Sequence, residues 1–168
     1  MIVPLYDQNQ VLQSLQFIGP DGEKRFLRGG LTKGCYFPIE GELDKILYIA
    51  EGFATAATVH EVTGSAVAVA FYANNLEPIA KALREKFPNL EIIICADDDH
   101  QTKGNPGIRK AIEAATATRS KVVIPEFDGN RSDSDTDFND LFVLDDAKSV
   151  ICCLDKIYEP DKLQSKLI

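Results

Sequence analysis

Three acidic residues, Asp97, Asp98 and Asp99, follow directly on the apolar run Ile92-Ile-Ile-Cys-Ala96. A short apolar run bounded by polar residues predicts a strand buried on both faces, as inside a parallel sheet. Side chains alternate along a strand, so Asp97 and Asp99 point together while Asp98 points away. Neighbouring carboxylates repel one another, and a fold that crowds them needs a cation to offset the repulsion. Carboxylate oxygens are what Mg²⁺ prefers. A third candidate, Glu51, follows a second apolar run, Ile46-Leu-Tyr-Ile-Ala50, and precedes Gly52, which lets the backbone turn closely. In an open α/β sheet, ligand-binding groups lie beyond the carboxyl ends of the strands. Glu51, Asp97 and Asp99 therefore fall on one edge. A Glu before a helix also suits the helix dipole with no function attached; the Asp pair on the same edge favours the functional reading.

The elements that must position these groups follow from residue 45 onward. The alternation is β-α-β-α-β-α-β, the pattern of a parallel sheet covered by helices. Lys45 to Ala50 predicts a strand, and Gly52 to Val62 a helix stopped by Gly64. Ala66 to Phe71 is the next strand, and Asn75 caps a helix with Leu76, Ile79, Ala80 and Leu83 on one face. After the strand over residues 91–96, Asn105 and Pro106 open a helix whose buried stripe is Ile108, Ala111, Ile112 and Ala115. Lys121 to Ile124 is a fourth strand, stopped by Pro125. Asp128 to Asp137 is a polar loop, and Ala147 to Tyr158 a closing helix.

Residues 1–40 differ in character. Val3 to Tyr6, Leu12 to Ile18 and Lys24 to Leu27 predict short strands, separated by turns at Asp7 to Gln10 and Gly19 to Gly22. Lys24, Arg25, Arg28 and Lys33 make the one locally basic patch. It reads either as a hairpin edge guarded by charge or as a lobe that meets phosphates across a cleft from the acidic edge.

The pairing of strand-Glu51-Gly52 with strand-Asp97-Asp98-Asp99 resembles the Toprim domain, over roughly residues 45–145. That fold is shared by bacterial-type DNA primases, topoisomerases and some nucleases. Three further stretches look like the primases carried by phages, plasmids and other mobile elements: Leu15-Gln-Phe-Ile18 through Lys24-Arg-Phe-Leu27, Lys103-Gly-Asn-Pro-Gly107, and Asp137-Phe-Asn-Asp140. The resemblance implies an α/β Toprim fold, a parallel sheet flanked by helices and preceded by a small β-hairpin segment. It divides the chain into a β-rich part of a primase core over 1–40 and a Toprim domain over 41–168. It implies catalysis by Glu51, Asp97 and Asp99, with Mg²⁺, or Mn²⁺, held by these residues together with Asp137 and Asp140. Glu51 is either a metal ligand or a general base. Asp137 and Asp140 read equally as a helix cap before Leu141-Phe142. Lys24, Arg25, Arg28, Lys103 and Asn139 are the candidates for holding substrate. Bacterial primases often carry an Asp four residues after the motif Glu; here that position is Thr55, so one accessory ligand is expected to be missing.

The implied activity is synthesis of short RNA primers on single-stranded DNA from nucleoside triphosphates. In such proteins a zinc-binding domain and a helicase often lie elsewhere in the polypeptide. Neither lies within these 168 residues, so the chain is expected to be a piece of a longer protein or a stand-alone remnant. A metal-dependent nuclease would use the same carboxylates with water as nucleophile. A catalytically silent docking module is the third reading. A topoisomerase would need a separate tyrosine-bearing domain.

Composition narrows the field. Hydrophobic content of 45% with 26% charged residues is that of a soluble globular domain. No apolar run approaches the roughly 20 residues that span a bilayer, and no signal-peptide pattern opens the chain; the expectation is cytoplasmic, without membrane contact. The net charge of −8 argues against strong autonomous nucleic-acid binding. The four cysteines lack metal-site spacing and are expected mostly buried. Asp133-Ser-Asp-Thr-Asp137 begins like a calcium loop, but Phe138 replaces the required Gly and Leu144 the bidentate Glu. No phosphate-binding Gly-Lys-Ser/Thr loop is present. His60 is expected on a helix surface, and His100 beside the acidic cluster.

Overall fold

The computed structural model describes residues 1–129 and 131–164. Two sheets are present. The first is antiparallel, in the order β1 (Ile2–Tyr6), β2 (Leu12–Ile18), β3 (Lys24–Phe26). The second takes β4 (Phe37–Ile39), β5 (Ile46–Ala50), β6 (Val67–Val69), β7 (Glu91–Cys95) and β8 (Lys121–Val123) in the order β4-β6-β5-β7-β8. β5, β6, β7 and β8 run parallel, and β4 lies antiparallel on the edge. Among the described residues are six α-helices: α1 (Phe53–Thr63), α2 (Leu76–Lys86), α3 (Pro106–Thr118), α4 (Phe138–Leu144), α5 (Ala147–Leu154) and α6 (Pro160–Gln164).

Strand alternation divides the core in two. Leu47, Ile49, Ile92 and Ile94 face one side, where they meet Ile79 and Leu83 of α2 and Ile108 and Ile112 of α3. Tyr48, Ala50, Ile93 and Cys95 face the other, against Val59 of α1, Phe138 and Leu141 of α4, and Val150 of α5. Burial on both faces explains why β5 and β7 read as unbroken apolar runs. Val3 and Leu5 of β1 join the second cluster, and a backbone bridge between Tyr6 and Tyr36 links the two sheets. The small sheet is thereby held against the α1 side of the large one.

Four local expectations change. Asn75 does not cap α2 with its side chain; it is buried, and its carboxamide accepts from the Gly34 amide at 2.7 Å while donating to the carbonyls of Cys35 at 2.9 Å and Ala70 at 2.8 Å. A side chain that can satisfy three backbone groups in the interior is worth more there than at an exposed cap. The closing helix stops at Leu154, because the backbones of Val122 and Tyr158 exchange two hydrogen bonds and cover the outer edge of β8. β4, with Pro38 inside it, carries no strand signal in the sequence; its edge position is where a proline is tolerated. His60 is half-buried rather than on the surface, its Nδ1 2.9 Å from the Ser65 carbonyl. Cys35, Cys95 and Cys153 are buried and Cys152 is exposed, all as free thiols.

Candidate active site

The register of the central strands sets the site. Ala50 of β5 lies opposite Cys95 of β7, so the chain leaves both strands side by side, at Glu51 and at Ala96-Asp97. Gly107, in the first turn of α3, comes up against this edge. A Cβ on it would stand 2.2 Å from the Asp97 carbonyl oxygen, a distance no side chain tolerates. Without that Cβ, the Gly107 amide donates to Asp99 Oδ2 at 2.9 Å. The amino end of α3 thus fixes one carboxylate, where the helix dipole favours negative charge.

Asp98 is turned to other work. Its carboxylate pairs with Arg131 Nη1 at 2.6 Å and accepts from Asn105 Nδ2, while Arg131 Nη2 donates to the Asp98 carbonyl at 2.7 Å. The Arg131 guanidinium also lies 4.3 Å from the centre of the Phe127 ring. This clamp ties the polar loop to the end of β7. Arg131 stands out in no sequence pattern, because a loop residue paired across 33 positions leaves no local periodicity.

Burial pushes the Glu51 carboxyl above the usual carboxylate range; the Asp99 charge adds to this, the Ala73 amide and Lys24 pull it back, and Asp137 raises it again. Burial likewise pushes Asp97 well up, followed by the charges of Glu51, Asp137 and Asp99, with Lys24 opposing. Asp97 Oδ1 is buried with no hydrogen-bond partner. Glu51, Asp97, Asp99 and Asp137 therefore form one electrostatically coupled group, with Lys24 as its counter-charge.

Asp137 is both a cap and a member of that group. Its Oδ1 accepts from the amides of Asn139 and Asp140, and its Oδ2 from the Thr55 hydroxyl at 2.8 Å. Thr55 is fully buried, so where an acid was the family expectation this chain has a neutral donor that orients Asp137. Thr58 donates to the Asn139 side chain at 3.3 Å in the same way. Asp140 closes the capping box, accepting from the amides of Thr136 and Asp137, and is not among the charges that shift Glu51 or Asp97.

Among the basic candidates, Lys24 reaches across from β3, its Nζ 3.9 Å from the point a Cβ on Gly52 would occupy. Arg25 turns into solvent and pairs with Glu23 at 2.8 Å. Arg28 and Lys103 are exposed on turns, as is His100, whose Nδ1 is 3.3 Å from the Asp98 carbonyl.

Among the described residues, no three His, Cys, Asp or Glu side chains are gathered as a ready-made metal cage. Mg²⁺ does not ask for one, since it usually keeps several waters and takes one or two carboxylates plus substrate phosphates. The orphaned Asp97 oxygen beside two further carboxylates suits such an ion.

Residues 46–147 match the family described as the Toprim domain. Over 134 residues, 74% of this chain, the sequence is 42% identical to a DNA primase TraC of Escherichia coli. A second Escherichia coli TraC primase matches at the same identity, and the chain spans only 12% and 9% of the two relatives. Among solved structures, the primase fragment of the bacteriophage T7 primase-helicase protein superposes with a TM-score of 0.63 at 20% identity, over 91% of this chain and 62% of that one. The RNA polymerase domain of Mycobacterium tuberculosis primase DnaG does so with a TM-score of 0.59 at 14% identity, over 96% and 56%. The likeness to both structures lies in the fold, while the profile match covers more than half of the chain, and the chain belongs to the Toprim domain family.

Proposed function

We propose that this chain is the catalytic Toprim module of a DNA primase, joining nucleoside triphosphates into short RNA primers on single-stranded DNA. The observation that carries the reading is the buried, unpartnered Asp97 oxygen at an edge shared with Glu51 and Asp99 and faced by Lys24. In the reaction, the 3′-oxygen of one nucleotide bonds to the α-phosphorus of the next. The bond from that phosphorus to the bridging oxygen breaks, and pyrophosphate leaves with its electron pair. Glu51, whose affinity for a proton is raised by burial and by Asp99, accepts the proton of the attacking hydroxyl. Lys24 stands where it meets the charge of the triphosphate. Mg²⁺ or Mn²⁺ held by Asp97 and Asp99, with Asp137 beside them, would supply Lewis-acid stabilisation of that charge. Asp140 serves the site through the cap of α4. Arg28, Lys103 and Asn139 are the further candidates for holding substrate, while Arg25 is engaged by Glu23.

In this reading, residues 1–40 furnish the basic lobe of a primase core and 41–168 the Toprim domain. Both the helicase and the zinc-binding domain belong to the full-length protein, which works in the cytoplasm. No described helix is long and apolar enough to cross a membrane.

The test is Mg²⁺ and Mn²⁺ titration by calorimetry on wild type and on Asp97→Ala/Asp99→Ala, with primer-synthesis and nuclease assays on the same samples. Saturable binding and primer synthesis, both lost in the double variant, are expected. Cleavage of DNA without synthesis would replace the primase reading with the nuclease one. Thr55, standing where bacterial primases often carry an acid, favours a second reading, a silent docking module. That reading stands if wild type binds metal no better than the variant.

A further inference from the structure

Lys24 and Phe26 lie on one face of β3, since strand side chains alternate with a period of two. Between them, Arg25 turns the other way to Glu23. Lys24 runs to the acidic edge beside Gly52. Phe26 sits edge-on against two aromatic rings, with centroids 6.1 Å from Phe71 and 6.2 Å from Tyr72. These two rings project from the loop that leaves β6, whose Ala73 amide acts on Glu51. Phe71 has φ of +71°, a region bulky side chains rarely adopt. The flanking backbone is pinned by Asn75, whose side chain donates to the Ala70 carbonyl and whose amide donates to the Tyr72 carbonyl. The aromatic group is therefore held in place by a conformation that only the surrounding structure enforces. Phe71 is buried, but Phe26 keeps 37% exposure and Tyr72 is half-buried.

We propose that Phe26, braced edge-on by Tyr72, offers a base-stacking face beside the acidic edge, seating a nucleobase while Lys24 faces the attached phosphates. The proposal rests on the nucleotide-transfer reading of the carboxylates for its role, though not for its test. An aromatic face beside a cation is the combination that holds single-stranded nucleic acid and nucleotides without sequence preference. A purely structural Phe26 would need only apolar volume, which leucine also supplies. The shared ligand chemistry is the π-face of a base, and its source is either a nucleic-acid strand or a free triphosphate.

Two fluorescent probes separate these sources: a short oligodeoxynucleotide carrying one 2-aminopurine, and 2-aminopurine riboside triphosphate. An abasic oligonucleotide of the same length serves as competitor, so that phosphate contacts cancel. Wild type is expected to quench at least one probe, and a quenched strand to outbind its abasic counterpart by between about fivefold and 150-fold. Phe26→Leu and Tyr72→Leu lose that quenching and preference, whereas Phe26→Tyr and Tyr72→Phe keep them. Lys24→Gln weakens base-containing and abasic strands alike and lowers the salt dependence. Thermal melts of each variant show that the fold is intact, and either leucine variant alone suffices for the comparison. The arm that quenches names the source. Quenching and base preference that survive in the leucine variants, or that are missing in wild type, overturn the proposal. A wild type that makes no primers but loses base preference on Phe26→Leu would defeat the transfer reading and leave the stacking face standing. Primer synthesis with unchanged base preference in the leucine variants would do the reverse.

Discussion

Replacing Asp97 by asparagine is expected to stabilise the metal-free protein while abolishing its activity. Asp97 is half-buried, its Oδ1 is buried with no partner, and the charges of Glu51, Asp137 and Asp99 bear on it. Leaving a buried polar group unpaired costs about 1–3 kcal/mol, and more when it is charged. An amide removes the charge and the repulsion but still buries polar atoms, so a gain of roughly 1–3 kcal/mol is expected. For a chain of this size that is a rise of about 2–12 °C in Tm, at ~2–4 °C per kcal/mol. The sign follows from linkage: the Asp97 carboxyl is raised in the folded state, so the wild type keeps its stability below the unfolded carboxylate range. It loses stability as pH climbs through the raised folded value. The advantage of Asp97→Asn should therefore be present in EDTA at pH 7.5 and vanish near pH 3.5. Added Mg²⁺ should close the gap from the other side, since a ligand at a hundred times its Kd stabilises by about 2.7 kcal/mol. Thermal unfolding followed by circular dichroism across pH, with and without Mg²⁺, measures all three. A variant less stable than wild type in EDTA at pH 7.5, or a gain that does not depend on pH, would refute the reasoning.

Thr55→Val keeps the shape of a fully buried side chain but removes the hydroxyl from Asp137. A hydrogen bond to a charged group is worth about 1.5–3 kcal/mol, so urea melts should show a loss of that order, and metal affinity measured by calorimetry should fall with it. Gly107→Ala places a methyl group 2.2 Å from the Asp97 carbonyl oxygen. It should destabilise by about 1–3 kcal/mol as α3 is pushed from the edge, and lower activity more than a surface substitution of equal stability cost. Arg131→Ala strips the partly buried Asp98 of its ion pair. A double-mutant cycle with Asp98→Asn should give a coupling of about 1–3 kcal/mol, and a coupling near zero would show that the clamp carries no weight.

Residue order alone was enough for the parallel sheet and the edge on which its carboxylates lie. The runs Ile46–Ala50 and Ile92–Cys95 are apolar on both faces because helices cover both sides of the sheet, a demand that each strand carries in its own side chains. Glu51, Asp97 and Asp99 could be placed at that edge because a strand end is a local property. All three lie past β5 and β7, where period-two alternation no longer sets direction. The cap of α4 was legible too, as Asp137 three residues before Asp140. What tertiary structure decided depends on partners distant along the chain. Thr55 bonds to Asp137 across 82 positions, Arg131 to Asp98 across 33, and Asn75 to Cys35 across 40. None of these pairings has a period or a motif. Each exists because folding brings a donor and an acceptor together where water cannot satisfy either, and that pressure acts on the packed chain rather than on any stretch of it.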